Sequence, residues 1–263
     1  MLIKVIRDLV PIKVRQNLGL WTIQQAGRSR LVFYPYFWLL CGGVPKNLVL
    51  DESDCYVRYE GRNIYSPRDG ILAFIEVFQD KLYEKHGGLK EGDVVVDVGA
   101  YVGMFTVRAS KLVGPKGQVV AIEPSSSNRT YLRANVSGLE NVEVLPIAAS
   151  NWVGWGKLGI SGASICHSLI GEHSRTEEVQ VNTLDLALKL KSITKIDFLK
   201  IDAEGSELEI LQGAETLLKG KVRLAIGAYH HTGKKKEYID IIAFLKERGY
   251  KTILEKGYVY AEK

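Results

Sequence analysis

The run Val94-Val-Val-Asp97-Val-Gly99-Ala100-Tyr101-Val-Gly103-Met-Phe-Thr-Val107 constrains the fold of this chain more than any other stretch. Four valines around an acid predict a buried strand, Gly99 a sharp turn, and Gly103 the close start of a helix. Backbone N–H groups at such a helix start face outward, toward a ligand. This is the anatomy of a nucleotide-type cofactor site at the end of a strand.

The glycine spacing and the acid select among cofactors. A dinucleotide fingerprint needs G-x-G-x-x-G, whereas this register is Asp97-x-Gly99-x-x-x-Gly103, with Val98 and Tyr101 where a pyrophosphate loop calls for small residues. An acid ahead of the turn suits a cationic ligand end, such as the amino group of S-adenosylmethionine. Glu123 ends a second apolar run, Val119-Val-Ala-Ile-Glu123-Pro124. A carboxylate there accepts both ribose hydroxyls of an adenosine.

At 263 residues and 46% hydrophobic content the chain buries a large core, with room for an extension. Cys41, Cys55 and Cys166 are widely spaced and form no CxxC or Cys/His pattern. That favours free thiols in a reducing compartment and a cytoplasmic location. Asn128-Arg-Thr130 and Asn135-Val-Ser137 match the glycosylation triplet, but both fall in an expected core helix and no secretory signal is recognised ahead of them. The net charge of +5 is uneven, because residues 1–48 carry seven Lys/Arg against Asp8 alone. This segment also holds Trp21 and the run Leu31-Val-Phe-Tyr-Pro-Tyr-Phe-Trp38-Leu-Leu-Cys41, which Pro35 breaks and which is too short to span a bilayer. It reads as a peripheral membrane contact, a dimer contact or a segment folded back on the domain. The basic residues form no dense stripe, so no nucleic acid is expected as a partner.

Along the chain, Cys55-Tyr-Val-Arg-Tyr59 and Ile64-Tyr65 predict a hairpin, and residues 70–86 follow a helical period up to Gly87-Gly88. Strands at 94–98, 118–123, 141–146, 196–202 and 222–228 then alternate with helices at 103–112, 126–137, 183–190, 206–218 and 235–248. Such alternation implies a parallel sheet with helices on both faces. Residues 150–181 read as an insertion of irregular strands and loops over the strand ends, with Trp152, Trp155, His167 and His173. Tyr250–Leu254 and Tyr258–Ala261 close the chain as a hairpin. Three segments are expected: a basic, aromatic-rich extension over 1–50, a hairpin and helix over 51–92, and the main α/β domain over 93–263.

Asp97-x-Gly99-Ala100-x-x-Gly103, Glu123-Pro124 and Phe198-Leu-Lys200-Ile-Asp202-Ala-Glu204-Gly205-Ser-Glu207 together closely resemble the FkbM family of S-adenosylmethionine-dependent methyltransferases. The likeness extends to Arg62-Asn-Ile-Tyr65-x-Pro67, Phe74-Ile-Glu-Val-Phe78 and Gln212-Gly213-Ala214, and so covers roughly residues 55–260. It implies the Rossmann-like class I methyltransferase fold, a mostly parallel seven-stranded sheet with a terminal antiparallel hairpin. It also implies methylation of hydroxyl groups, on sugars or polyketide-type products. Carried over, it makes Asp97, Gly99, Ala100, Tyr101 and Gly103 the methionine-end pocket and Glu123, with Pro124, the ribose acceptor. Pro146-Ile-Ala148-Ala149 should flank the adenine, although no acid stands there before Asn151 to read the adenine amine.

The sulfonium makes the methyl group electrophilic, so the protein must align a nucleophile and remove a proton. Asp202 and Glu204 sit two residues apart at a strand end, so both are placed to take that proton or to hold a divalent cation. Asp202 is also expected beside the cofactor. His230 and His231, at the end of the next strand, are candidates for the base, and His231 for a third metal ligand beside Asp202 and Glu204. Lys200 is expected to pair with a carboxylate, Glu207 to favour a helix start, and Lys234-Lys-Lys236 to open the next helix. The expected activity is O-methyl transfer to a small-molecule or glycan hydroxyl. The alternatives are a docking protein that binds the cofactor without turnover, and a nicotinamide-dependent reductase.

Overall fold

The computed structural model describes residues 48–50, 54–67, 70–160, 169, 175–229, 231–232 and 235–263. The basic lead-in, His167, His173, His230 and Lys234 lie outside these residues. The described residues fall into two compact units, one up to Lys81 and one from Leu82 onward. Among them no helix is long and apolar enough to cross a membrane.

The first unit holds the antiparallel strands β1 (Leu48–Leu50), β2 (Asp54–Tyr59) and β3 (Arg62–Pro67), ordered β1-β2-β3. Tyr56 and Tyr65 pair across β2 and β3 with ring centroids 5.4 Å apart. Helix α1 (Ile71–Phe74) runs on into a π-helical turn, Ile75–Gln79. The helix expected to reach residue 86 stops here. Lys81 adopts a left-handed backbone, φ +50°, which an α-helix cannot continue through, and Leu82–Glu84 form a separate 3-10 turn.

The second unit is built on a seven-stranded sheet. Its strands are β4 (Val94–Val98), β5 (Gln118–Ile122), β6 (Val142–Leu145), β10 (Phe198–Ile201), β11 (Arg223–Gly227), β14 (Lys251–Glu255) and β15 (Tyr258–Glu262). The order is β14-β15-β11-β10-β4-β5-β6. The pairs from β11 across to β6 are parallel, while β15 is antiparallel to both β11 and β14. This is the expected class I methyltransferase sheet with its terminal hairpin. Near-continuous apolar runs suit strands covered on both faces: Val96, Val98, Val120, Ile122, Leu199, Ile201, Leu224 and Ile226 all sit in one buried cluster. From β4 the chain moves outward to β5 and β6, then returns to place β10 on the other side. The crevice outside the carboxyl ends of β4 and β10 is therefore the topological switch point, where ligands bind in open α/β sheets.

The helices are α2 (Met104–Val113), α3 (Ser126–Val136), α4 (Leu184–Lys189), α5 (Glu207–Gln212) and α6 (Tyr238–Glu247). Asn128 and Asn135 are buried in α3, where Asn135 Nδ2 donates to the Val102 carbonyl at 2.8 Å. Both are framework residues. Helix α5 is shorter than its apolar period implies, because the Gly213 carbonyl accepts Asp185 N–H at 3.0 Å and the Asp185 carboxylate takes the N–H groups of Thr216 and Leu217 at 2.7 and 3.0 Å. Helix α6 begins at Tyr238 rather than 235, because β13 (Lys235–Lys236) pairs with β12 (His231–Thr232). The insertion is more regular than its composition suggests. Strands β7 (Ala148–Ala149), β8 (Gly154–Gly159) and β9 (Thr176–Asn182) form a second sheet, ordered β7-β9-β8, over a small core of Ala148, Leu158, Val179 and Val181.

Leu199→Ala, at a fully buried place in β10, is expected to destabilise the protein by about 3 kcal/mol through lost burial and a residual cavity. Chemical denaturation of the variant beside the parent checks this.

Candidate active site

The glycine turn after β4 forms as its sequence demands. The N–H groups of Gly99 and Ala100 both donate to the Ile122 carbonyl at 3.0 Å, and Gly103 N–H donates to the Ala100 carbonyl at 2.8 Å. Gly99 has φ +71°, and a Cβ there would stand 1.9 Å from the Asp202 carbonyl oxygen. No side chain fits between the turn and the end of β10. Tyr101 takes φ +54° without being glycine, a backbone cost held in place by its N–H bond to Glu123 Oε2 at 2.9 Å.

Asp97 is completely buried beneath this turn. Thr106 Oγ1 donates to its Oδ2 at 2.6 Å, and Lys200 Nζ lies 3.0 Å from its Oδ1. Asp97 and Lys200 are direct partners in the β4–β10 register. The ammonium also donates to the carbonyls of Gly99 at 2.6 Å and Val98 at 3.2 Å. Lys200 thus meets the carboxylate expected for it, and the pair supports the turn from below.

Glu123 closes the other side. Its Oε1 accepts Ser125 N–H at 3.0 Å and Asn128 Nδ2 at 3.3 Å, while Oε2 accepts Tyr101 N–H. Burial outweighs these donors and pushes its carboxyl from 4.5 up to about 7. A nearly buried carboxylate so short of compensation is what two ribose hydroxyls would satisfy. Pro124 follows it half-buried, and Ala100 is buried within the turn. Ala148 is committed to the small core of β7, β8 and β9.

Asp202 stands at the mouth between β4 and β10, half-buried. Its Oδ2 accepts Tyr83 Oη at 2.6 Å and Tyr229 Oη at 3.0 Å, and Tyr229 also reaches Oδ1 at 3.1 Å. Gly227 leaves room for the carboxylate, since a Cβ there would stand 2.9 Å from Asp202 Cγ. Glu204, half-buried, follows with a left-handed backbone, φ +54°. The bend is clamped by Glu207, which is fully buried and accepts Ala203 N–H at 2.8 Å and Gly205 N–H at 3.0 Å. Glu207 therefore shapes the loop, beyond its expected part in opening α5. His231 lies in β12, its backbone paired with Lys236.

Tyr83 and Tyr229 were not singled out from the sequence. Tyr83 falls within residues 70–86, whose helical period gives it no distinct place, whereas Tyr229 precedes the two histidines at the end of β11, and that strand-end place is the usable signal. Among the described residues no group of three or more His, Cys, Asp or Glu side chains gathers to hold a metal ion. The two phenol donors hold the Asp202 carboxylate in one orientation at the strand ends.

With this geometry in place, comparison with known proteins is decisive. The family model "Methyltransferase FkbM domain" matches residues 97–252, more than half of the chain. The chain belongs to the FkbM methyltransferase family. It is an S-adenosylmethionine-dependent methyltransferase, and the alternative of a nicotinamide-dependent reductase is set aside. The 31-O-demethyl-FK506 methyltransferase FkbM of Streptomyces tacrolimicus is 27% identical over 220 residues, covering 71% of this chain and 84% of that protein. The AMB antimetabolite synthetase AmbE of Pseudomonas aeruginosa is 26% identical over a 196-residue alignment, with coverage of 59% of this chain and 9% of that much longer protein. Among solved structures, an FkbM methyltransferase from Methylobacillus flagellatus KT superposes with a TM-score of 0.50 at 18% identity. The match covers 94% of this chain and 59% of that one, and bears on the fold. The cofactor of the FkbM family fits the residues present: the buried Glu123 carboxylate suits the ribose, and Asp202 stands at the same strand ends as the Gly99 turn.

Two outcomes are expected. Lys200→Met leaves the Asp97 charge buried and unpaired, and should cost about 3–5 kcal/mol. Adding Asp97→Asn should recover most of the loss in chemical denaturation. For Glu123, the folded protein keeps a proton between pH 4.5 and about 7 that the unfolded chain has released. Its contribution to stability therefore falls as pH rises through that window. Ligand hydroxyls favour the carboxylate, so S-adenosylhomocysteine should release a proton on binding near pH 6.5 and bind more tightly as pH rises to 7. Calorimetry in buffers of different ionisation enthalpy reads this release, which Glu123→Gln should abolish.

Proposed function

We propose that this protein transfers a methyl group from S-adenosylmethionine to a hydroxyl of a saccharide, a glycoconjugate or a related metabolite. The observation that carries this reading is the Asp202 carboxylate, half-buried at the crevice beside the Gly99 turn and held by two phenol hydroxyls. S-Adenosylmethionine, when bound, supplies a methyl whose bond to sulfur breaks, leaving the electron pair on sulfur as the acceptor oxygen bonds to carbon.

The chain's own residues supply the rest. Glu123 and the Gly99 turn hold the adenosine and methionine ends, Asp97 and Lys200 keep that turn in place, and Asp202 takes the hydroxyl proton. Glu204, two residues on, lines the same loop and adds negative charge that attracts an acceptor's donors. An oxygen acceptor is supported by the Streptomyces relative, whose name places its reaction at an oxygen. A saccharide is supported by the family resemblance and by the exposed indoles of Trp152, just ahead of β8, and Trp155, on β8, since aromatic faces suit sugar rings.

The test is transfer of labelled methyl from S-adenosylmethionine to a panel of sugars, nucleotide sugars and amines. Base-stable ether label on hydroxyl acceptors is expected, and Asp202→Asn should lower its rate about 100-fold or more. Label confined to amines, or none from folded protein that binds S-adenosylhomocysteine, would sink the proposal.

A further inference from the structure

Two tyrosines far apart in the chain converge on one carboxylate. Tyr83, on the 3-10 turn ahead of β4, donates to Asp202 Oδ2 at 2.6 Å. Tyr229, just past β11, bridges Oδ2 and Oδ1 at 3.0 and 3.1 Å. Tyr258 on β15 packs against both rings, with centroids 5.5 Å from each. Phe105 meets Tyr83 edge-on at 5.3 Å, and Lys200 Nζ lies 5.3 Å from the centre of the same ring. Each phenol is thus a stiff arm with its base packed and its tip on Asp202.

Tyrosine burial alone does not require this. A buried phenol needs some acceptor, and any backbone carbonyl would serve, as the Leu82 carbonyl does for Tyr260 at 2.6 Å. Tyr229 is only half-buried and has water as an alternative. Both hydroxyls nevertheless go to the same half-buried acid, for which Gly227 clears the space. An aspartate at a strand mouth otherwise turns about its own side-chain bonds, and a base or counter-charge that turns loses most of its effect.

We propose that Tyr83 and Tyr229 are positioning residues that aim the Asp202 carboxylate at the centre of methyl transfer. This rests on the reading of Asp202 given above and adds how its direction is set. Asp202 then has two tasks: it takes the acceptor's proton, and it provides negative charge next to the cofactor's cationic sulfur.

The second task is measurable without knowing the acceptor. S-Adenosylhomocysteine carries a neutral thioether, whereas sinefungin carries an ammonium group in the region of the transferring methyl. The ratio of their dissociation constants reads the field at that point, and two readily purchased ligands suffice. In the parent protein sinefungin should bind about tenfold more tightly or better, as an aimed carboxylate within a few ångströms implies. Asp202→Asn should bring the ratio close to one. Tyr83→Phe and Tyr229→Phe should each reduce it about threefold or more, with the affinity for S-adenosylhomocysteine held within about twofold. Glu123→Gln, at the adenosine end, should weaken both ligands equally.

If Asp202→Asn leaves the ratio unchanged, the reading of Asp202 falls and this inference with it. If that variant lowers the ratio while both phenylalanine variants keep the parent value, the inference alone falls. A purely structural role for the tyrosines would lower the melting temperature or both affinities together and leave the ratio in place. Should Tyr83→Phe fail to fold, the half-exposed Tyr229→Phe decides the matter by the same criterion.

Discussion

The rest of the site depends on one buried ion pair, Asp97 with Lys200. The two residues face each other across β4 and β10, the strands on either side of the switch point. Buried pairs stabilise only when their remaining hydrogen-bonding capacity is met. Here Thr106 donates to one carboxylate oxygen, the other lies 3.0 Å from the ammonium, and the carbonyls of Val98 and Gly99 complete the ammonium. An apolar pair of equal volume would pack β4 against β10 as well. It would not hold the two carbonyls from which the glycine turn starts, so the charges serve the turn more than the sheet.

From that point the crevice is assembled by close approach. The Asp202 carbonyl lies where Gly99 has no side chain, and the Asp202 carboxylate lies where Gly227 has none. The chain then turns sharply through Glu204, with Glu207 holding the backbone of the bend. Tyr101 and Glu204, one on each side of the crevice, both adopt left-handed conformations that ordinary residues avoid. Each is fixed by a carboxylate accepting a backbone N–H nearby: Glu123 for Tyr101, and Glu207 for Gly205 next to Glu204. Acids that look alike in the sequence thus divide into buried framework pieces, Asp97 and Glu207, and the half-buried Asp202 and Glu204 at the mouth.

The fold was legible wherever burial alone chose the residues. Val94–Val98, Gln118–Ile122 and Phe198–Ile201 are read from composition because parallel strands covered on both faces admit almost nothing polar. Lys200 is the exception, and its surroundings announced a partner. Helix ends were less legible. Groups outside the helix set most of them: Asp185 on the backbone past α5 and the β12–β13 ladder ahead of α6, with the left-handed Lys81 a local stop. In the site, Asp97, Glu123 and Asp202 stood out as acids at strand ends. Tyr83 did not, because its partner is 119 positions away and its neighbours mimic a helical stripe. A hydrogen bond across that distance leaves no periodic trace.

The 3-10 turn that carries Tyr83 lies outside the span matched by the family model, residues 97–252, and so does Tyr258, which packs against both tyrosine rings. A version trimmed to that span would lose both of these residues, and with β15 the strand that covers β11. It would retain the glycine turn and most acids by which the family is recognised. The span matched by the family model and the span of a working pocket are therefore different in this chain, and a shortened protein judged by its motifs alone would be passed as intact with one wall of its centre missing.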